Sequence, residues 1–157
     1  MHAEKLKSAG VPCPSVPCPS VPCLCHALRQ ASRAASRLYD DELREAGLRT
    51  TQFSVLRVLA AQDEIRQRDL AERTVHEETT LTRNLRPLVH AGWVAERAGL
   101  DRREKWLKIT PSGLAKLKEA KPLWKRAQQR MRSGLSEKVW DNLLAVLPEV
   151  ARQAGDS

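Results

Sequence analysis

Between Ile65 and Thr110 the spacing of apolar residues changes period, and each change marks a new element. IRQRDLAERT (65–74) predicts a short helix and VHEE (75–78) a turn. TTLTRNLRPLVHAG (79–92) predicts a second helix, because Leu81, Leu85, Leu88 and Val89 recur at i, i+4, i+7 and i+8. That spacing leaves one apolar stripe for a core. The opposite side carries Thr79, Thr82, Arg83 and Arg86, with Thr80 and Asn84 flanking. Gly92 is placed to stop the helix. Beyond it, WVAER (93–97) and KWLKIT (105–110) read as strands around the loop AGLDRRE (98–104). A helix-turn-helix followed by a two-stranded hairpin predicts a winged helix-turn-helix lobe over residues 50–110.

Helical periodicity continues on both sides of this lobe. Leu28, Ala31, Ala35 and Leu38 are three and four apart, with Leu43 near the end of the run and Gly47 beyond it. Thr50 or Thr51 is the expected N-cap of a following helix that holds Phe53, Leu56, Leu59 and Ala60. After the wing, Thr110 is expected to cap a long helix with Pro111 at its first position, where a missing amide costs nothing. Leu114, Leu117, Trp124, Ala127 and Met131 line one side of it, and Pro122 predicts a kink or break near Ala120–Lys121. Ser133–Gly134 closes that helix. LSEKVWDNLLAVLPEVARQ (135–153) forms the last one, with Val139, Leu143, Val146 or Leu147, and Val150 on its apolar face. The fold class is therefore mainly α (α+β). Residues 23–47 and 111–157 read as helices whose apolar faces need cover. An intramolecular bundle would supply it; a symmetric homodimer is the more economical solution, and it would set two recognition helices about one DNA turn apart.

The first 22 residues follow neither period. VPCPS occurs twice, at 11–15 and 16–20, and VPC follows at 21–23. Proline removes amide donors and disfavours helix before it, so 1–22 is expected to be a disordered Pro/Cys-rich arm ahead of a single domain over 23–157. No run reaches the ~18 apolar residues of a membrane span, and the prolines break any apolar leader core, so no membrane partner and a cytoplasmic location are expected.

Charge sharpens the picture. The 157 residues carry a net charge of +8, which favours a polyanionic partner. Short hydroxyls, an amide and guanidinium forks on one helix face suit phosphates and base edges, so double-stranded DNA is the expected partner. Glu77 and Glu78 at the start of that helix would repel phosphates, which keeps open a winged helix used for protein contacts alone. No paired carboxylates, nucleophile–base set or phosphate-binding glycine loop points to an enzyme. No cofactor is implied. Cys23, Cys25 and His26 offer ligands within four residues but lack a distant second pair, so no metal site is expected.

Three stretches, GLRTTQFSVLRVLA, RDLAERTVHEETTLTRNLRPLVHAGWV and DRREKWLKITPSG, resemble the MarR family of transcriptional regulators, and the resemblance runs from Cys25 to the C-terminus. It implies a homodimer of winged-helix lobes with interlocked terminal helices and a ligand crevice between the dimer helices and each lobe. It also implies repression that is relieved by a small phenolic or lipophilic effector, or by oxidation of a cysteine. The family's wing motif falls on Asp101-Arg102-Arg103, where Asp101 would orient and Arg103 would enter the minor groove. Cys25-His26-Ala27-Leu28-Arg29 resembles the reactive-cysteine pattern of the organic-hydroperoxide branch, and Tyr39 matches one of the two tyrosines that hold the thiolate across the dimer. Thr50 stands at the other. The loss of that phenol removes one hydrogen bond to a thiolate, even though a helix N-terminus lowers a thiol pKa.

Remaining residues have plainer expected roles. His76 reads as a solvated turn residue and His90 as a partner of its helix dipole. Trp93 and Trp106 are expected to stack across the wing. Trp124 and Trp140 are expected to line the dimer core, with a ligand crevice as the alternative. Lys116, Lys118, Lys121, Lys125, Arg126, Arg130 and Arg132 read as a solvated basic face.

Overall fold

The computed structural model describes residues 23–74, 78–101 and 104–155. The expected arm over 1–22, and with it Cys13 and Cys18, lies outside the described residues, as do His76, Glu77, Arg102 and Arg103. Among the described residues six helices and three short strands follow in order: α1 Leu24–Leu43, α2 Thr50–Ala60, β1 Ile65–Arg66, α3 Gln67–Thr74, α4 Glu78–His90, β2 Val94–Ala98, β3 Lys105–Ile109, α5 Pro111–Ser133 and α6 Glu137–Gly155. A 3-10 turn, Arg44–Ala46, closes α1. The chain is mainly α with a small sheet, as its pattern predicted.

The core sits inside the lobe, where α2 is the central element. Its Phe53, Val55, Leu56 and Leu59 are buried against Leu70 of α3, Leu81, Leu85 and Leu88 of α4, and Leu107 of β3. Leu43 and Leu48 join this cluster from the α1 end and Ala120 from α5. Phe53 also stacks on Trp124, with ring centroids 5.9 Å apart, so Trp124 packs on the lobe's own core within one chain.

Two local expectations are corrected by tertiary contacts. Helix α2 begins at Thr50 with Arg49 as its N-cap, one residue before the expected threonines. Its first amides are satisfied by groups the local pattern does not reveal: Thr50 N–H donates to Asp40 Oδ1 of α1 at 2.7 Å, and Arg49 N–H donates to Gln52 Oε1 at 2.9 Å. Ile65 and Arg66 belong to no helix. They form β1, which pairs antiparallel with β3, giving a three-stranded sheet in the order β1-β3-β2.

At the far end of the wing the expected cap is present. Thr110 Oγ1 accepts from Gly113 N–H at 3.1 Å and donates to the Gly92 carbonyl at 2.7 Å, with Pro111 at the first helical position. Gly92 adopts φ 72°, the left-handed conformation that ends α4. Gly113 is required for another reason: a Cβ there would lie 2.1 Å from the Trp93 carbonyl oxygen, so only glycine lets α5 start against the wing. Helix α5 runs unbroken through Pro122 to Ser133, so the break expected near Ala120–Lys121 does not occur.

The basic run on α5 is also corrected. Arg126 and Arg130 both donate to the carboxylate of Glu42, which is only 8% exposed, and Arg126 reaches Glu45 at 2.9 Å. Lys116 pairs with Glu119 at 2.8 Å and lies over the Trp93 ring. These cations fasten α5 to α1 and to the lobe. The Arg130 guanidinium, then that of Arg126, holds the Glu42 carboxyl below the usual carboxylate range. A depressed carboxylate pKa stabilises the fold above about pH 4 and stops doing so as acid protonates it. Glu42→Gln is expected to lower the melting temperature at neutral pH by roughly 5 °C or more, since two guanidinium groups lose their carboxylate. Scanning calorimetry should also show that the variant loses less stability than the wild type on acidification below pH 4.

Helix α6 stands apart. None of its described residues is buried, and Val139, Leu143, Leu144, Val146 and Leu147 are between 41% and 59% exposed. Among the described residues no intramolecular bundle covers this face. No helix among the described residues is long and apolar enough to cross a membrane.

Candidate nucleic-acid interface

Helices α3 and α4 are the two helices of the helix-turn-helix. The apolar stripe of α4 faces the core through Leu81, Leu85 and Leu88, so the 3.6-residue period turns the other side outward. Thr79, Thr80, Thr82, Arg83 and Arg86 are all exposed there, as their spacing predicted. Neither Arg83 nor Arg86 has an ion pair among the described residues. On the same lobe Arg66, Arg68 and Arg97 are paired with Glu104, Glu72 and Glu64. The two recognition-face guanidiniums therefore keep all their donors for an external acceptor.

Two of the expected site residues are partly engaged within the lobe. Thr82 Oγ1 donates to the Glu78 carbonyl at 2.8 Å and accepts from Gln67 Nε2 at 3.0 Å. Asn84 is half-buried, and its Oδ1 accepts from the Thr51 hydroxyl at 3.4 Å, which leaves its amide donors. From the sequence, Gln67 has no assigned role and Thr51 only that of an N-cap candidate. Each holds a recognition-helix side chain from a neighbouring helix, a relation that sequence spacing does not carry.

The wing is the β2–β3 hairpin, with Val94 opposite Ile109 and Ala98 opposite Lys105. Gly99 N–H donates to the Glu104 carbonyl at 2.8 Å and Glu104 N–H to the Asp101 carbonyl at 2.9 Å, closing the loop that carries exposed Asp101. Acidic groups on this sheet are held by bases. Lys108 donates to Asp63 at 2.7 Å, Lys105 to Glu96 at 2.8 Å, and Arg97 to Glu64 through two nitrogens. These contacts push the Asp63 and Glu64 carboxyls down, through Lys108 and Arg97 respectively. Carboxylates paired in this way repel an approaching polyanion less than free ones would.

The expected Trp93–Trp106 stack is not formed. Register puts Trp106 opposite Arg97 and Arg66, while Trp93 precedes β2 and lies beside Lys116. Both guanidinium carbons, of Arg66 and of Arg97, lie 5.1 Å from the Trp106 ring centre.

The profile of the MarR family matches residues 46–104, from the end of α1 to the wing. An uncharacterized HTH-type transcriptional regulator of Bacillus subtilis, YwoH, is 31% identical over 96 residues, which are 61% of this chain and 70% of that protein. The crystal structure of the M. tuberculosis transcriptional regulator MosR superimposes with a TM-score of 0.75 at 33% identity, covering 86% of this chain and 97% of the other. A second MosR structure, in complex with DNA, gives a TM-score of 0.72 at 35% identity, covering 85% and 98%.

This chain belongs to the MarR family. It is a DNA-binding transcriptional regulator, and α3 and α4 lie within the stretch that the family profile matches. The two residues expected for redox chemistry lie well apart on one MarR helix. Cys25 is exposed in the first turn of α1, and Tyr39 lies 14 positions on, about 21 Å at helical rise. The Tyr39 hydroxyl donates to Gln128 Oε1 of α5 at 2.5 Å, and burial pushes its pKa up. Within one chain the pair does not meet. Among the described residues no group of three His, Cys, Asp or Glu side chains is gathered as a metal site.

Proposed function

We propose that this regulator is a homodimeric repressor that holds an inverted-repeat operator and releases it when a small lipophilic or phenolic ligand binds. The observation that carries this reading is the coexistence, among the described residues, of two unsatisfied faces: a polar α4 face with unpaired Arg83 and Arg86, and an apolar α6 face with no cover. The first suits a major groove and the second a second copy of the chain. In this reading Thr79, Thr80, Thr82, Arg83, Asn84 and Arg86 address the major groove. Asp101, Arg102 and Arg103 address the minor groove from the wing, while residues 23–47 and 111–157 build the dimer around the 50–110 lobes. The DNA complex of MosR, at 35% identity, supports DNA as the partner.

A ligand has a place to act beside α2. A groove of about 440 Å³ is lined by Ser54, Arg57, Val58, Ala61, Gln62 and Arg73. Arg57 and Arg73 give this groove two cations, which suit a phenolic anion, and the Arg57 guanidinium also lies 5.0 Å from the ring centre of Trp124, outside the lining. Because α2 packs on both α4 and α5, a guest at this groove would alter the angle between reading head and dimer stem.

Selection of DNA fragments by the purified protein, followed by titration at several salt concentrations, tests the reading. The expected result is an inverted repeat bound by a dimer, with affinity falling steeply as salt rises. A monomer at micromolar concentration in ultracentrifugation overturns it. Equal affinity for random and selected duplexes does so too, and would favour a lobe used for protein contacts alone.

A further inference from the structure

The strand β1 is two residues long, and Arg66 runs directly from it into α3, so it ties one edge of the wing sheet to the first helix of the helix-turn-helix, as β2 ties the other edge to the end of α4. Two paired residues, Ile65 with Leu107 and Arg66 with Trp106, are a marginal backbone connection. Side chains reinforce it. Trp106, on the central strand β3, is flanked by Arg66 from β1 and Arg97 from β2, each 5.1 Å from its ring centre. The outer end of each arginine is held in turn: Arg97 by Glu64, which precedes β1, and Arg66 by Glu104 at 3.4 Å, at the base of the wing loop. The row Glu64–Arg97–Trp106–Arg66–Glu104 therefore crosses all three strands and alternates charge, ring and charge.

We infer that Trp106 is a positioning residue for DNA binding: by holding Arg66 and Arg97 on its ring, it sets the tilt of the wing relative to α3 and α4. The inference rests on the proposed use of the wing on DNA. Single exposed ion pairs contribute little, but this row couples its members through one shared ring, and a cation over an indole face is stronger than over any other side chain. The ring is only half-buried and is absent from the lobe's core, so its loss should loosen the hinge more than it unfolds the lobe.

The test compares Trp106→Leu, which keeps apolar bulk, with Trp106→Phe, which keeps an aromatic face. Hydrogen exchange on the free protein reads the hinge without DNA. Trp106→Leu is expected to speed exchange at amides of residues 98–101 and 104–105 severalfold, with Trp106→Phe close to the wild type. On the selected duplex Trp106→Leu is expected to lose about five- to tenfold in affinity, and its slope of log K against log salt to shrink by about one as a wing contact is lost. The melting temperature should move by no more than a few degrees. Unchanged wing exchange in Trp106→Leu, or equal losses in the two variants, overturns the inference whether or not DNA binds. A wild type that binds no duplex specifically, with the exchange pattern as expected, overturns the proposed function and leaves the hinge intact.

Discussion

Replacing Arg83 and Arg86 together by alanine is expected to lower affinity for the selected operator by about a hundredfold or more, while the melting temperature stays within a few degrees of the wild type. Both side chains are exposed on α4 and have no ion pair among the described residues, so their removal breaks nothing inside the lobe. Each guanidinium that reads a base edge contributes about 1–3 kcal/mol, and sites this close on one helix act on the same groove. The single variants should separate the roles further. One that contacts phosphate weakens all sequences alike and reduces the salt slope by about one; one that contacts a base relaxes specificity at a single position. Gel-shift titration against selected and scrambled duplexes is the measurement, and wild-type affinity in the double variant would show that α4 does not dock as described.

The second large effect is expected on α6. Leu143→Glu combined with Leu147→Glu places two charges in the middle of an apolar stripe whose side chains are 41% and 42% exposed in the single chain. No residue of α6 belongs to the lobe's core, so the isolated lobe should keep its fold. If the stripe is the dimer surface, the carboxylates must be desolvated without partners, and the dimer should fall apart at micromolar concentration. Operator affinity should then drop by two orders of magnitude or more, because one short recognition helix is left to bind one half-site. Ultracentrifugation and DNA titration on the same sample read both consequences. A variant that remains dimeric would place the dimer surface elsewhere.

Glu42 shows where legibility stops. The carboxylate is seven positions from Arg49, a distance visible in the chain, but its partners Arg126 and Arg130 are 84 and 88 positions away. A run of lysines and arginines on a helix reads as solvated unless something says which turn of that helix meets an acid. Pro122 makes the same point from the other side. Its missing amide predicts an interruption, yet α5 continues, held on either side by Ala120 and Ala127 packed in the protein's interior.

What the sequence by itself determined is the set of elements governed by local periods and caps. Leu81, Leu85 and Leu88 lie on one stripe at helical spacing, so their burial and the exposure of Thr79, Arg83 and Arg86 follow from 3.6 residues per turn. Thr110 before Pro111 starts α5, and Gly92 ends α4, because capping and positive φ are properties of one or a few residues. Tertiary structure alone decided the rest, since strand register and helix contacts bring together residues that no local rule relates. It made Ile65 and Arg66 a strand, because β3 offered them a free edge. It gave Trp106 two arginines in place of Trp93, because register sets cross-strand neighbours and sequence distance does not. It moved the N-cap of α2 to Arg49, because Asp40 of α1 stood ready to accept the Thr50 amide.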